Sequence, residues 1–271
     1  MLDHWNQHAR QWQWIASPLR PASEDIAFAE RTVKGWHSKN RVPALNALLL
    51  GVTPEIALMQ WPTGTHLTAV DRSQPMIDSV WPGDTAARNA HCAEWSDLPL
   101  QPASQHIVIG DGCFVLLAYP DVYRAVIGAV RCVIRSDGIF VLRFFVRPEV
   151  RESVDKIIDD LMSGCIGNFH VFKWRLAMAL HGTLEQGVRL ADIWDAWHSA
   201  VPDPESLAGQ LGWPYEAMHT IDNYCGVATR YTFPTLAEAR SVMAAVFIEA
   251  DCFLPQYELG DCCPTFVFRP R

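Results

Sequence analysis

The sequence predicts a doubly wound α/β fold with a mostly parallel, seven-stranded sheet. Four apolar stretches have the length of buried strands, and helical patterns separate most of them. Strands that are buried on both faces and alternate with helices are typical of a parallel sheet with helices on both sides. A short fifth stretch and two strands near the end of the chain complete the seven. The four apolar stretches are Ala47–Leu50, Leu67–Val70, Ile107–Ile109 and Ile139–Val146.

The segment Leu48–Ser73 predicts the first strand–helix–strand unit. Its three leucines run into Gly51, and Thr53 can then cap a short helix that begins with a proline. The second strand ends at Asp71, and Ser73 can cap the next helix. A turn and an acidic residue therefore follow two neighbouring strands at the same edge of the sheet.

The next segment predicts the third to fifth strands. A short third strand is predicted over Asn89–Ala93, and the fourth strand ends in the tripeptide Gly110–Gly112. A helix with one apolar face is predicted over Asp121–Arg135, because its valines and alanines recur at helical spacing. The turn Ser136–Gly138 then leads into the fifth strand.

The pattern becomes helical after this block, which predicts an insertion before a final α-β-β unit. The insertion carries large aromatic residues at helical spacing. The last helix begins near Leu236, and the last two strands are predicted near Phe253–Leu259 and Thr265–Phe268. The aromatic residues of the insertion are Phe169, Phe172, Trp174, Trp194, Trp197 and Trp213.

Composition and charge narrow the class of protein. The chain has 271 residues with 49% hydrophobic and 19% charged residues, which indicates a folded domain rather than a disordered one. The net charge of −8 disfavours nucleic acid as a partner, because phosphate binding depends on basic patches.

Membrane and metal binding are not indicated by the sequence. The stretch Met1–Trp14 lacks the apolar core of a signal peptide, and no apolar run approaches the roughly 20 residues of a membrane span. The eight cysteines are scattered without a C-x-x-C pair, which is typical of reduced thiols rather than a zinc site. We therefore expect a cytoplasmic protein with no membrane association and no metal.

Gly51 and Asp71 together predict a nucleotide-type site. In an open α/β sheet, ligands bind where the strand order reverses, over a glycine turn after the first strand. The carboxylate that accepts hydrogen bonds from the ribose hydroxyls lies about 20 residues further along the chain in such sites. Asp71 follows Gly51 at this spacing. Each residue alone has an ordinary structural interpretation, the glycine as a turn and the acid as a cap.

The spacing alone does not choose the nucleotide. A dinucleotide site expects the pattern G-x-G-x-x-G, but Thr53 and Ile56 occupy the second and third glycine positions. Glu55 also lies in the first helical turn, where its negative charge would repel a bound pyrophosphate. S-adenosylmethionine carries no phosphate and is cationic at its sulfonium, so these residues favour it over a nicotinamide or flavin dinucleotide.

Four segments resemble bacterial class I methyltransferases, which use S-adenosylmethionine: Leu50–Glu55, Ala69–Met76, Glu94–Pro99 and Gly110–Gly112. The α-β-β ending resembles the same family. The family usually has an acid before a glycine-rich turn, whereas Leu49 and Leu50 precede a single glycine here. The resemblance therefore assigns no residue to the amino group of the cofactor.

The resemblance implies a role for each matching residue. Gly51, Val52 and Thr53 would lie under the methionine part of the cofactor, and Asp71, beside Arg72, would hold the ribose. Met76 would pack on the adenine, and Trp95 with Glu94 or Asp97 would border it. Gly110, Asp111 and Gly112 would line the methionine part or the side of methyl transfer.

The acceptor side is predicted less specifically. Asp111 and Tyr119 would lie near the transferred methyl group, and Trp14 and Arg20 would contact a small, aromatic or apolar acceptor from the N-terminal segment. The tryptophans Trp5, Trp12 and Trp14 suggest that this segment is a lid. Surface and core packing are the alternative interpretations of these residues.

The resemblance divides the chain into a helical lid (residues 1–34), a Rossmann-like cofactor core (residues 35–149 and 235–271) and a helical cap for the acceptor (residues 150–234). Two other functions remain open. One is a non-catalytic protein that binds S-adenosylmethionine, because no catalytic base is recognisable. The other is an NAD(P)-dependent oxidoreductase.

Overall fold

A seven-stranded sheet forms the centre of the computed structural model, which describes residues 9–271. The strands are β1 (Leu45–Leu50), β2 (Thr65–Asp71), β3 (Arg88–Cys92), β4 (Gln105–Asp111), β5 (Ile134–Arg143), β6 (Val188–Arg189), β7 (Arg230–Tyr231), β8 (Phe247–Phe253) and β9 (Thr265–Pro270). The order in the sheet is β3-β2-β1-β4-β5-β9-β8, and β6 pairs with β7 separately. The first five strands are parallel, and β9 runs antiparallel between β5 and β8. The predicted fold class is therefore confirmed.

Helices cover both faces of the sheet and form the insertion. They are α1 (Ser23–Asn40), α2 (Pro54–Ala57), α3 (Gln74–Val80), α4 (Asp121–Val133), α5 (Val154–Met162), α6 (Phe169–Leu180), α7 (Leu190–Ala200), α8 (Pro204–Leu211), α9 (Tyr215–His219) and α10 (Leu236–Ala244). Among the described residues, no helix is both long enough and apolar enough to cross a bilayer.

The leucines of β1 are all apolar because both faces of the sheet are covered. Leu49 packs in one core cluster with Val33 and Trp36 of α1. Leu48 packs on the opposite face in a second cluster with Val126 of α4. Successive side chains of a strand point to opposite faces, so an uninterrupted apolar strand is required in the middle of a doubly wound sheet.

The strand after the last helix lies earlier than predicted. Helix α10 begins at Leu236, as expected, but the strand predicted over Phe253–Leu259 is instead β8. β8 is the edge strand of the sheet, and polar residues such as Glu249 are exposed on it. This composition hides the strand from a search for apolar stretches, whereas an edge strand tolerates polar and charged side chains.

The helical insertion has a core cluster of its own. Phe172 of α6 and Trp197 of α7 are buried at its centre. The first helix begins at Val154 rather than at Val150, which is 85% exposed, because the hydroxyl of Ser153 caps it. The strands β6 and β7 are two residues each, too short for a sequence pattern to predict.

Helix α1 links the N-terminal segment to the sheet. The boundary that we placed after residue 34 falls inside this helix. Its buried face packs on the sheet, and Trp36 donates from Nε1 to the carbonyl of Asp137 at 2.8 Å. Of the tryptophans predicted to form a lid, Trp5 lies outside the described residues.

Candidate functional site

A cavity of about 540 Å³ lies at the carboxyl ends of β1, β2 and β4, where the strand order reverses. This volume falls within the range of about 300–1,000 Å³ that small-molecule sites usually have. The N-terminal segment and the helical insertion complete the walls. Ten residues predicted to bind the cofactor line the cavity: Gly51, Val52, Thr53, Asp71, Arg72, Met76, Glu94, Trp95, Asp111 and Gly112.

Gly51 brings bare backbone to the cavity wall. Its φ is +101°, a value that side-chain-bearing residues rarely adopt, and its N–H donates to the carbonyl of Val70 at 2.8 Å. A Cβ at this position would lie 3.9 Å from Oδ2 of Asp71 and from the ring of Trp95. The absence of a side chain therefore keeps open the space between these two residues.

Asp71 presents one carboxylate oxygen towards this space. Its Oδ1 accepts the N–H of Ser73 at 2.8 Å, and Oδ2 is the atom that faces Gly51. Burial raises the pKa of Asp71 to about 6, against the opposing effect of the Ser73 hydrogen bond. Within residues 9–271, Asp71 makes no ion pair. It is a partly desolvated carboxylate with a free acceptor oxygen.

Trp95 and Met76 border the same end of the cavity. Trp95 donates from Nε1 to the carbonyl of Val70 at 2.6 Å, which fixes its ring beside Gly51. Met76 is buried in the core cluster beneath the sheet and also lines the cavity, so it has both a packing contact and a ligand-facing surface.

Gly110 does not line the cavity. A Cβ there would lie 2.8 Å from Leu142 and 2.9 Å from the sulfur of Cys113. Gly112 does line it, but its φ is +59° and a Cβ would lie 2.3 Å from the ring of Phe145. Packing therefore explains why glycines flank Asp111, and the contact of Gly110 with the cofactor stays a prediction that the cavity lining does not support.

Asp111 belongs to a buried ion pair. Arg143 donates from Nε to Asp111 at 2.5 Å and from Nη1 to the carbonyl of Pro18 at 2.9 Å. Nη1 also lies 3.1 Å from the hydroxyl of Tyr257 and 3.9 Å from the carboxylate of Asp25. Asp111 thus lines the cavity with a charge that Arg143 already compensates.

Two predicted acceptor residues lie away from the cavity. Tyr119 packs edge-on against Tyr123, with ring centroids 5.5 Å apart, and does not line the cavity. Trp14 does not line it either; its carbonyl is hydrogen-bonded to the ring of His170 at 2.8 Å. Trp12 takes the place that we predicted for Trp14, together with Ile15.

Arg20 holds the N-terminal segment against the first turn of α2. Its Nε donates to Glu55 at 2.6 Å, and its Nη1 donates to the carbonyls of Trp12 and Ile15 at 3.2 Å. Arg20 does not line the cavity, so its contact with an acceptor stays a prediction without support from the cavity lining. The same pair weakens our charge argument from Glu55, because Arg20 compensates that anion.

The shape of α2 supplies a different argument against pyrophosphate. The helix spans only Pro54–Ala57, a single turn. A helix macrodipole needs several aligned turns, so this helix offers little positive potential to a phosphate. The nearby wall carries the acidic residues Asp71 and Glu94 and the basic residue Arg72.

The far wall of the cavity comes mainly from the insertion and was not predicted residue by residue. Of the six aromatic residues noted in the insertion, Trp174 alone lines the cavity. Tyr224, Tyr231 and Phe145 line it as well. In the part of the chain that the structure describes, no group of three His, Cys, Asp or Glu side chains is arranged to hold a metal ion.

Comparison with known proteins gives structural matches only. No protein-family model matches the chain, and no curated protein matches it in sequence. A putative methyltransferase from Haloferax volcanii, solved with the Trm112 methyltransferase activator, is 11% identical with a TM-score of 0.51, over 100% of this chain and 99% of that chain. The CurJ carbon methyltransferase is 10% identical with a TM-score of 0.54, over 99% of this chain and 59% of that chain.

The chain has the class I methyltransferase fold. The position of β9, antiparallel between β5 and β8, distinguishes this sheet from the dinucleotide-binding order 3-2-1-4-5-6. A structure from Rhodobacter sphaeroides described as a putative Zn-dependent alcohol dehydrogenase also matches, at 12% identity and a TM-score of 0.57, over 100% of this chain and 99% of that chain. At such identities a match shows the fold alone.

Proposed function

We propose that this protein is an S-adenosylmethionine-dependent methyltransferase that acts on a small-molecule acceptor. The observation that carries the proposal is the pairing of Gly51 with Asp71 across one wall of the cavity. The bare backbone at Gly51 admits a ligand, and the free Oδ2 of Asp71 is placed to accept the hydroxyls of a ribose. The class I methyltransferase fold puts its ligand at this switch point.

The other lining residues fit a cationic nucleoside. Met76 and Trp95 offer apolar surface to an adenine, and Arg72 lies beside Asp71 on the same wall. Asp71 and Glu94 make this end of the cavity acidic, which favours a sulfonium cofactor over a pyrophosphate. Val52, Thr53 and Gly112 would contact the methionine part.

The protein's part in the reaction would be alignment. When bound, the cofactor supplies a methyl group that is already electrophilic. The walls of the cavity would hold the acceptor in line with it and exclude water, and such positioning alone lowers barriers substantially. Asp111 would shape the wall from its fixed place beside Arg143 rather than act as a base.

Calorimetric titration with S-adenosylmethionine, S-adenosylhomocysteine and NADH tests the proposal. We expect both sulfur compounds to bind and NADH not to bind. Binding of NADH alone would establish the oxidoreductase alternative, and binding of neither class would overturn the proposal. Methyl transfer to a panel of small molecules, followed by mass spectrometry, then separates an enzyme from a non-catalytic binder.

Gly51→Ala should weaken binding of S-adenosylhomocysteine at least 10-fold. The new Cβ would enter the space between Asp71 and Trp95, and a φ of +101° strains any side-chain-bearing residue by about 1–3 kcal/mol. Calorimetry measures the affinity. Gly128→Ala is the matched control, because nothing lies within 4 Å of a Cβ there. Equal affinity in the two variants would remove Gly51 from the site.

We also propose that residues 12–20 act as a lid, as the sequence suggested. Trp12, Ile15 and Leu19 line the cavity from this segment, and Arg20 fastens it to Glu55. The insertion would serve as the cap that shapes the acceptor end.

Arg20→Met should speed amide hydrogen exchange in residues 12–20. The Arg20–Glu55 pair is only 23% exposed, yet a single ion pair of this kind contributes about 1 kcal/mol or less, so the fold should persist. Hydrogen-exchange mass spectrometry measures the change. Arg189→Met, which removes an exposed pair with Asp192, should leave exchange in this segment unaltered. Equal hydrogen exchange of residues 12–20 in the two variants would show that Arg20 does not hold this segment in place.

A further inference from the structure

The part of the cavity lining that comes mostly from the insertion is aromatic. Trp174 is nearly perpendicular to the ring of Phe145, with centroids 5.3 Å apart, and lies 5.5 Å from the ring of Tyr231. All three residues line the cavity, as does Tyr224. Rings in edge-to-face contact form a rigid wall that suits a flat, apolar ligand. We call these four residues the aromatic wall.

The aromatic wall carries an unused hydrogen-bond donor. Trp174 is 3% exposed, and its Nε1 has no acceptor within the described chain. Leaving a buried donor unpaired costs about 1–3 kcal/mol, and native structures avoid it. Among residues 9–271, the other buried indole N–H without a partner belongs to Trp12, which lines the same cavity.

Several tryptophans elsewhere in the described chain have a partner for their indole N–H. Trp36 donates to the carbonyl of Asp137, Trp61 to the carbonyl of Ile56, and Trp194 to the carboxylate of Asp222. The unpaired donors are thus associated with the cavity rather than with tryptophan in general. Both Nε1 atoms have less than 1 Å² of accessible surface, so a small turn of the indole towards the cavity would let an acceptor atom on a bound ligand satisfy each of them.

The hydroxyls of the aromatic wall are not bases. Those of Tyr224 and Tyr231 lie 3.2 Å apart, and burial raises the pKa of Tyr231 to about 12. Among the described lining residues there is no histidine; Glu185 is exposed, and Asp111, whose neighbour Gly112 packs on Phe145, is paired with Arg143. An acceptor bound here must therefore present a lone pair that needs no deprotonation by the protein.

From these observations we propose that the aromatic wall binds a planar, uncharged heteroaromatic acceptor with two heteroatoms. One heteroatom receives the N–H of Trp174, and the other is a ring nitrogen that takes the methyl group. This proposal rests on the proposed methyltransferase function.

The proposed transfer balances without a base. The lone pair of the ring nitrogen forms the new N–C bond, and the electron pair of the broken C–S bond stays on sulfur. The positive charge passes from sulfur to the ring, and no proton leaves. The faces of the tyrosine rings would stabilise the cationic ring by cation–π attraction.

Binding of two flat probes in the presence of S-adenosylhomocysteine tests the aromatic wall. Quinazoline has two ring nitrogens, and naphthalene has the same shape with none. We expect quinazoline to bind at least fivefold more tightly than naphthalene. Trp174→Phe keeps an aromatic ring but removes the N–H together with part of the indole surface, so it should lower the affinity for quinazoline about 10-fold and the affinity for naphthalene by about threefold at most.

The controls separate this proposal from the cofactor proposal. Trp194→Phe removes an indole that is hydrogen-bonded outside the cavity, and it should not change the affinity for either probe. Trp174→Phe should bind S-adenosylhomocysteine as the wild type does. Equal binding of the two probes, or an unaltered quinazoline affinity in Trp174→Phe, would overturn the aromatic acceptor site. Failure of the wild type to bind S-adenosylhomocysteine would overturn the proposed function instead, and the probes can then be titrated without it.

Discussion

Arg143→Met is expected to lower the melting temperature by about 10 °C, the largest change in stability that we anticipate. Arg143 is 3% exposed and compensates Asp111 and Asp25, which are buried beside it. Methionine fills a similar volume but leaves both carboxylates without a counter-charge. Breaking a buried pair in this way costs about 3–5 kcal/mol, and a domain of this size loses about 2–4 °C per kcal/mol.

Arg240→Met provides the control for this measurement. Arg240 forms an ion pair of similar geometry with Glu249, but both side chains are well exposed. Exposed pairs contribute about 1 kcal/mol or less. Differential scanning calorimetry of both variants at pH 8 should therefore separate them clearly. A loss in Arg143→Met no larger than that in Arg240→Met would contradict a structural role for the buried pair.

The pH dependence of Arg143→Met gives an independent check. Burial already raises the pKa of Asp25 in the wild type, with Arg143 opposing the shift. Without the guanidinium, the folded-state pKa of Asp25 should rise further above its unfolded value. A raised carboxyl pKa gives stability that is present at low pH and is lost as pH rises through the folded value. The deficit of the variant should therefore shrink between pH 8 and pH 5.

This ion-pair network explains why the role of Asp111 could not be predicted. An acid between two glycines at the end of a strand has the pattern of a ligand-binding loop. Its partner Arg143 is 32 residues away along the chain, at the end of an apolar strand. The adjacent strands β4 and β5 bring the two together in register. Sequence spacing carries no information on such a pairing until the strand order is known.

The parts of the fold that could be predicted depend on local patterns. The apolar run of β1, the cap position of Thr53 and the acid at the end of β2 are read within 27 residues and lie as expected. The edge strand β8 was misplaced because its exposed side chains are polar. This segment becomes a strand because one of its faces is buried, and that burial depends on a neighbouring strand, β9, that comes later in the sequence.

The site divides in the same way. Its cofactor side is built from turns that directly follow β1 and β2, so a short motif identifies it. The opposite wall combines Trp174 from α6 with Tyr231 from β7 and Trp12 from the N-terminal segment. Tertiary packing alone joins these elements. Aromatic residues were noted in the insertion, but most of them, such as Trp197, form its own core.

Asp71→Asn is expected to weaken binding of S-adenosylhomocysteine by about 10–100-fold while making the free protein more stable. A hydrogen bond to a charged acceptor contributes about 1.5–3 kcal/mol and one to a neutral acceptor about 0.5–1.5 kcal/mol, so the weakened bonds from the ribose hydroxyls set the loss of affinity. The gain in stability arises because burial disfavours the ionised carboxylate, as its pKa of about 6 indicates. Asparagine keeps an acceptor for the N–H of Ser73 and removes the charge.

The signs of both effects depend on pH. The folded-state pKa of Asp71 is raised, so the wild type is most stable below its unfolded value and loses stability as pH rises through about 6. Asp71→Asn should therefore gain about 1–2 kcal/mol at pH 8 and nothing at pH 4. The wild-type affinity for S-adenosylhomocysteine should fall as pH drops below about 6, because the ligand needs the ionised form, whereas the variant should show no such step.

Denaturant unfolding and calorimetry at several pH values measure the two effects in one protein. Asp97→Asn is the control, since Asp97 is exposed near Trp95 but does not line the cavity. A purely structural aspartate would lose stability on substitution and leave affinity unchanged. A residue kept for binding at the expense of stability would show the opposite pair of changes. A gain in stability with a loss of affinity at pH 8 would therefore identify Asp71 as a ligand-binding carboxylate, and a loss of stability with unchanged affinity would return it to the role of a turn or cap residue.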